Sequence, residues 1–291
     1  MTPAGIPFVK GHGTGNDFVI LPDPTGSLTV TAPLVRALCD RRRGIGADGV
    51  LVVARTEAHP EVADQSGLAP WFMDYRNADG SVAQMCGNGA RVFVAHLLEE
   101  GLARPGTMHL ATRGGARRVT VEDDGSIRVD MGTAEFMDRG DLLVQVSDGP
   151  HAHTASPAIG VRIPNPHAVT WVDDVHDAGS LRDAPAVTPS GAYPEGVNVE
   201  FVRVLAPGHL QMRVFERGVG ETLSCGTGAC AAVVATVRRS GGLPEGRRVR
   251  VDVPGGTVGV TWHVDGSVEL DGPTQVVARG EIDANWWESN A

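Results

Sequence analysis

The sequence predicts an α/β (α+β) fold of two pseudo-symmetric domains, each a strongly curved, mainly antiparallel sheet wrapped around a central buried helix. Three observations carry this. The chain has 291 residues, enough for about two domains of roughly 150 residues each. Glycine fills 38 positions and proline 19, and with many short Val-rich runs this reads as short strands joined by tight turns. The third is an internal echo. MCGNGARVFVAHLLEEG (Met85 to Gly101) and SCGTGACAAVVATVRRSG (Ser224 to Gly241) each have a cysteine, then Gly-x-Gly-Ala, then an apolar stretch ending in charges and a glycine. The two stretches are apolar nearly all round, so a helix built from either must be buried on every side. The domains are placed at residues 1–132 and 133–272, with a strand over 273–291 returning to the first.

In chain order, PFVK (Pro7 to Lys10) and DFVIL (Asp17 to Leu21) read as strands. APLVRALCDRRRG (Ala32 to Gly44) reads as a helix with Leu34, Val35, Leu38 and Cys39 on its core face and Gly44 as its stop. GVLVVA (Gly49 to Ala54) is a strand, and WFMDYRNADGS (Trp71 to Ser81) a strand running into an Asn-Ala-Asp-Gly turn. RRVTVEDDGSIRVDMG (Arg117 to Gly132) forms a hairpin, and Arg248 to Gly272 a meander with Pro-Gly-Gly and Val-Asp-Gly turns. Segments 139–160 and 176–197, rich in Gly, Pro, Asp and His, read as loops.

Composition excludes several classes. Hydrophobic residues at 42% and charged residues at 21% fit a folded globular chain. A net charge of −10 disfavours nucleic acid and membrane surfaces as partners, since both select a basic face. A small anionic substrate stays open, because one local arginine holds a carboxylate on an acidic protein. No apolar run approaches a membrane span, and the N-terminal stretch has no signal-peptide pattern, so a cytoplasmic location with reduced thiols is expected. Lys10 is the sole lysine and directly precedes a glycine-rich turn, a poor place for a pyridoxal-phosphate Schiff base.

Of the four cysteines, Cys39, Cys86, Cys225 and Cys230, Cys39 faces a core and Cys230 lies inside the second echoed helix. Cys86 and Cys225 precede helix N-termini, where unpaired N–H groups carry roughly half a positive charge. That placement is expected to lower a thiol pKa and to create an anion site beside each sulfur. Two thiols on opposite sides of one carbon suit removal of a proton from one face and delivery to the other, next to a carboxylate, in an inter-domain cleft. Zinc spacing and a Cys-x-x-Cys redox pair are both missing. Gly11-His-Gly-Thr-Gly15 lacks the Gly-x-Gly-x-x-Gly spacing of a dinucleotide loop and a following helix.

Beyond this chemistry, the segments GHGTGNDFVI, GIGADG, NADGS, MCGNGAR, NPH, VNVEF and RVFERGVGETLSCGTGACAA resemble the diaminopimelate epimerase family, nearly end to end. The related proline racemase type carries His where Asn88 stands. The resemblance implies a cofactor-independent, metal-free isomerase that interconverts LL- and meso-diaminopimelate for lysine and peptidoglycan. It implies Cys86 and Cys225 as the two bases, with His167 and Glu216 tuning their ionisation. Gly87, Asn88, Gly226 and Thr227 would bind the reacting carboxylate. Asn77, Asn165, Asn198 and Arg217 would hold the distal amino-acid end, with Asn16 and Glu216 in the same pocket, and a homodimer is left open. Gly49 departs from the pattern, standing where many members carry Gln. Read singly, the asparagines are turn residues, His167 a loop or core histidine, and Glu216 and Arg217 surface charges. Another cofactor-free amino-acid racemase and a non-catalytic thiol or redox protein remain alternatives.

Overall fold

A computed structural model describes residues 5–240 and 246–291. Gly241, at the end of the second echoed stretch, and residues 1–4 lie outside the described residues. The chain divides into two compact units, Met1–Val129 with Pro273–Ala291, and Asp130–Gly272.

The first unit opens with β1 (Ile6–Gly13) and β2 (Asn16–Pro22), a hairpin turning at Thr14 and Gly15, both at positive φ. The glycine-rich run is therefore a hairpin, and Gly13 lets it approach the buried helix: a Cβ there would lie 3.2 Å from the Asn88 carbonyl oxygen. Helix α1 (Ala32–Cys39) is capped by Thr31, whose Oγ1 accepts the Leu34 N–H at 3.2 Å. It buries Leu34, Val35, Leu38 and Cys39 as expected, but it stops five residues before Gly44. Asp40 turns extended there, and its carboxylate accepts the N–H groups of Arg42 and Arg43. Side-chain capture of the backbone competes with the helix, and it outweighs three arginines of good helix propensity.

Strands β3 (Gly49–Arg55), β4 (Trp71–Asn77), helix α2 (Gly87–Glu99), β5 (Gly106–Ala111), β6 (Arg117–Val121) and β7 (Ile127–Thr133) follow. Helix α2 begins directly after Cys86, and ten of its residues are buried, Phe93, Val94 and Leu97 completely.

The second unit contains β8 (Glu135–Gln145), β9 (Ser156–Arg162), β10 (Pro166–Trp171), β11 (Ala186–Thr188), β12 (Asn198–Ala206), β13 (His209–Glu216), β14 (Gly220–Glu221), helix α3 (Gly226–Ser240), β15 (Arg248–Val253), β16 (Gly256–Trp262) and β17 (Ser267–Gly272). Two loop expectations are corrected. β8 and β9 fill much of 139–160, and β11 with a 3-10 turn at Val175–Ala178 interrupts 176–197. A register shift between Met137 and Leu142 breaks the alternation that would have marked β8 in the sequence.

The chain then returns to the first unit as β18 (Thr274–Ile282), antiparallel to β1. The expected strand over 273–291 is shorter than predicted, because α4 (Ala284–Asn290) follows. Asp283 caps that helix by accepting the Trp286 N–H, and Trp287 packs into the core with Leu34 and Val35.

Both units repeat one pattern. The order β18-β1-β2-β3-β4-β5-β6-β7 joins antiparallel, antiparallel, parallel, antiparallel, parallel, antiparallel, antiparallel. The order β8-β9-β10-β12-β13-β15-β16-β17 gives the same succession. Helix α2 touches β18 and β1 as well as β3 and β4, and α3 touches β9 and β10 as well as β16 and β17. Each helix thus reaches distant strands of its own sheet, so the sheet curls around it. Among the described residues, no helix is long and apolar enough to cross a membrane.

Candidate active site

In the first unit, Cys86 is the N-cap of α2, and the Gly89 N–H donates to its Sγ at 3.3 Å. An N-cap sulfur thus takes one of the helix's orphan donors, the task usually given to a hydroxyl or carboxylate. Around it, two amides are oriented by charged neighbours. Asp48 can only accept, and it takes Asn16 Nδ2 at 2.9 Å. Arg91 can only donate, and its guanidinium gives a hydrogen bond to Asn88 Oδ1. Asn88 Nδ2 then donates to Asn16 Oδ1 at 3.3 Å, and Asn16 Oδ1 also lies 3.8 Å from the Cys86 Sγ.

The charges that set this arrangement form a network. Arg41 bridges Asp17 and Asp48, and Lys10 pairs with Asp17 at 2.5 Å. Burial alone would raise the Asp17 carboxyl, but the Arg41 and Lys10 hydrogen bonds hold it well below the ordinary carboxylate range. The early end of α1 serves this network, since it is the turn after Cys39 that carries Arg41 to Asp17. Arg91 is fully buried in α2 and also donates to Thr14 Oγ1 and the Pro273 carbonyl.

Gly87 and Asn88 are buried in the first turn of α2. Asn77 ends β4, where its Nδ2 donates to Ser81 Oγ at 3.0 Å. Opposite it in register stands Gly49. A Cβ at Gly49 would lie 2.6 Å from the Arg76 carbonyl oxygen and 2.7 Å from Tyr75 Cε2. Tyr75 is itself buried, edge-on to Phe18. The departure from Gln at this position therefore has a steric partner. Gly49→Gln is expected to cost about 1–3 kcal/mol by overpacking, read as a lower urea midpoint.

In the second unit, Cys225 precedes α3, accepts the Gly228 N–H at 3.3 Å, and lies 3.4 Å from Thr227 Oγ1. At its thiol the lowering by the helix end is opposed and outweighed. Burial, at 6% exposure, pushes its pKa well above the ordinary value, and Glu216 and any ionised Glu200 act in the same direction. Desolvation of a thiolate here outweighs the helix end and the Thr227 and Gly228 donors. Glu216 itself accepts a hydrogen bond from Thr222 Oγ1.

His167, on β10, is buried between two partners: Glu200 Oε1 at 2.6 Å from Nδ1, and Asn165 Oδ1 at 3.0 Å from Nε2. Parallel pairing sets His167 opposite Asn198 and brings Glu200 of β12 alongside. A Cβ at Gly228 would lie 2.8 Å from Glu200 Oε1, so this glycine is what allows the carboxyl to pack on the first turn of α3. Asn198 is buried, and its Oδ1 accepts the Arg217 N–H at 2.8 Å; the Arg217 guanidinium reaches the Glu195 carbonyl at 3.0 Å.

Cys86 thus gathers Asn16, Gly87 and Asn88, while Asn77 bonds to Ser81 instead. Cys225 gathers Gly226, Thr227 and, electrostatically, Glu216, and His167 joins Asn165. Sequence reasoning missed Glu200, Arg91, Arg41 and Thr14. Two of them had a visible signal: one acid within VNVEFV and one arginine inside an apolar helix. A cavity of about 550 Å³ in the first unit, lined by Phe8, Trp71, His96 and Arg279 among others, contains none of these site residues.

The four cysteines differ in access. None is in a disulfide, Cys39, Cys225 and Cys230 are buried, and burial pushes Cys39 to about 12. Iodoacetamide on the native protein at pH 8 is expected to modify half-buried Cys86 first and Cys225 more slowly. Cys39 and Cys230 are expected to react only after unfolding, as peptide mapping would show.

A family model described as diaminopimelate epimerase matches residues 8–137 and 160–277. A diaminopimelate epimerase of Streptomyces coelicolor is 50% identical over 287 residues, covering 97% of each chain. One from Corynebacterium glutamicum is 44% identical over 287 residues, covering 95% of this chain and 98% of that one. Among solved structures, a Bacillus anthracis phenazine biosynthesis protein of the PhzF family has a TM-score of 0.70 at 16% identity, covering 95% of this chain and 98% of its own. A hydroxyproline epimerase from Agrobacterium vitis, with bound trans-4-hydroxy-L-proline, has a TM-score of 0.68 at 14% identity, covering 98% of this chain and 94% of its own. At those identities the two structures share the fold alone. Nearly full-length identity to the curated relatives carries more, and the chain belongs to the diaminopimelate epimerase family.

Proposed function

We propose that this protein interconverts LL- and meso-diaminopimelate, a step towards lysine, using Cys86 and Cys225 as its two bases. The observation that carries the reading is the repeated geometry: each thiol sits at the start of a buried helix and accepts the N–H three residues on. One cysteine, as thiolate, takes the α-proton. The Cα–H pair flows into the adjoining carboxylate, and the other thiol delivers its own proton to the opposite face. Reversing the direction exchanges the roles.

Charge developing on the carboxylate is stabilised by donors fixed before the reaction. The first-turn N–H groups at Gly87, Gly226 and Thr227 lie beyond the helices' own ladders, and Asn88 adds a side-chain amide. Proton transfer also needs a deprotonated sulfur. The raised Cys225 thiol fits a resting acid, and bringing the ammonium of an amino acid near would favour a thiolate. Glu216 and His167 tune that balance. The distal end is held by Arg217, whose fork suits a carboxylate, with Asn77, Asn165 and Asn198 supplying donors and acceptors for an ammonium and a carboxylate.

The test is incubation of pure protein with LL-diaminopimelate and a panel of other amino acids, followed by chiral chromatography. Appearance of meso-diaminopimelate alone supports the reading. Racemisation of a different amino acid, with diaminopimelate untouched, points to another substrate on the same scaffold. No inversion of any amino acid removes the reading altogether.

A further inference from the structure

We propose that Glu200 is a positioning residue: its buried carboxyl holds His167 with a proton on Nε2, and so turns the Asn165 amide to offer its Nδ2 to a carboxylate of the substrate. The substrate part of this rests on the epimerase reading; the tautomer part does not.

The argument begins with burial. The side chains of Glu200 and His167 are both fully buried, and Oε1 lies 2.6 Å from Nδ1. The other carboxyl oxygen, Oε2, has no hydrogen-bond partner among the described residues. A net-negative pair with one oxygen orphaned in the interior is costly, since a buried charge needs compensation on all sides. The pair therefore keeps the proton that makes it neutral, and burial pushes the Glu200 carboxyl up in keeping with this.

A proton on Oε2 would be a donor with nothing to accept it, which leaves a neutral pair two forms. Either the carboxyl is protonated and donates to Nδ1, or the proton has moved across and Nδ1–H donates back. In both forms Nε2 retains its own proton. The ring therefore donates to Asn165 Oδ1 at 3.0 Å. Because that oxygen is taken, the two-fold ambiguity of the amide is resolved and Nδ2 faces away from the histidine. Only the one-proton form, with Nε2 bare, would let Asn165 flip and present its oxygen.

Two substitutions separate positioning from packing. In Glu200→Gln the amide NH2 can donate to Nδ1 and leave its carbonyl in the place of Oε2. The alternative orphans an NH2, and buried orphan donors are rarer than orphan carbonyls. Glutamine therefore preserves the arrangement. Glu200→Leu keeps similar bulk but can neither donate nor accept.

The experiment is ¹⁵N NMR of the His167 ring in wild type and both variants, together with KM for LL-diaminopimelate. Wild type and Glu200→Gln are expected to show Nε2 protonated, with KM within about threefold of each other. Glu200→Leu is expected to show mixed tautomers and KM raised about tenfold, the loss of one good hydrogen bond. A wild-type His167 with Nε2 bare overturns the proposal, and so does a folded Glu200→Leu that binds as wild type does. If Glu200→Leu fails to fold, the wild-type and Glu200→Gln tautomers still decide. A wild-type chain that turns over no diaminopimelate would sink the epimerase reading while leaving the tautomer result to stand or fall alone.

Discussion

Replacing either Cys86 or Cys225 by alanine is expected to cut epimerisation by about 10²–10⁴-fold, the usual contribution of a positioned acid or base. The consequence is sharper than a loss of rate. A chain with one thiol left can still take the α-proton from the epimer that presents it to that sulfur, and can hand it back to the same face. Each variant is therefore expected to exchange the α-proton of one epimer with D2O without inversion. The two variants are expected to act on opposite epimers, as ¹H NMR of LL- and meso-diaminopimelate would show. Folding is not at stake at Cys86, where alanine gives up a hydrogen bond at a half-buried helix cap. At Cys225 the loss is one thiol from a buried site, and thermal unfolding would confirm that the variant is native.

The second large effect is expected at Arg217. Arg217→Met should raise KM for diaminopimelate by about 10²-fold, because a bidentate charge-assisted contact is lost and the substrate carboxylate is left unpaired. Arg217→Lys should recover little, since an ammonium lacks the planar fork. Stability should hardly change. Among the described residues the guanidinium donates to the Glu195 carbonyl and the side chain's methylenes run beside Gly196, while the Asn198 bond goes to the Arg217 backbone N–H and survives any side chain. A stable variant that binds as wild type does would remove Arg217 from the distal subsite.

Much of the fold was legible because its signals are local. The two buried helices announce themselves by all-round apolarity after Cys-Gly-x-Gly, and the 117–132 hairpin by Asp-Asp-Gly-Ser. The end of α1 was not legible, because Asp40 stops it by capturing two amides that the arginine-rich sequence gives no reason to expect. β8 hid behind its bulge, since a register shift erases the two-residue period that marks a strand. The candidate site divides in the same way. Its cysteines and glycines sit in contiguous motifs, whereas the groups that orient them come from far along the chain. Asp48 acts on Asn16, Arg91 on Asn88, and Glu200 on His167, pairings that only the strand register and the folded helix bring about. The direction of the Cys225 shift was also beyond the sequence, because it depends on how completely the thiol leaves water.

The central claim is that two sulfurs, each serving one face, move two different protons. The most direct test is wild-type protein with LL-diaminopimelate in D2O, stopped at low conversion. The account predicts that the meso product carries deuterium at the inverted carbon while recovered LL substrate remains unlabelled. A product that keeps the original proton, or label appearing equally in recovered substrate and product, would indicate a single base and contradict it.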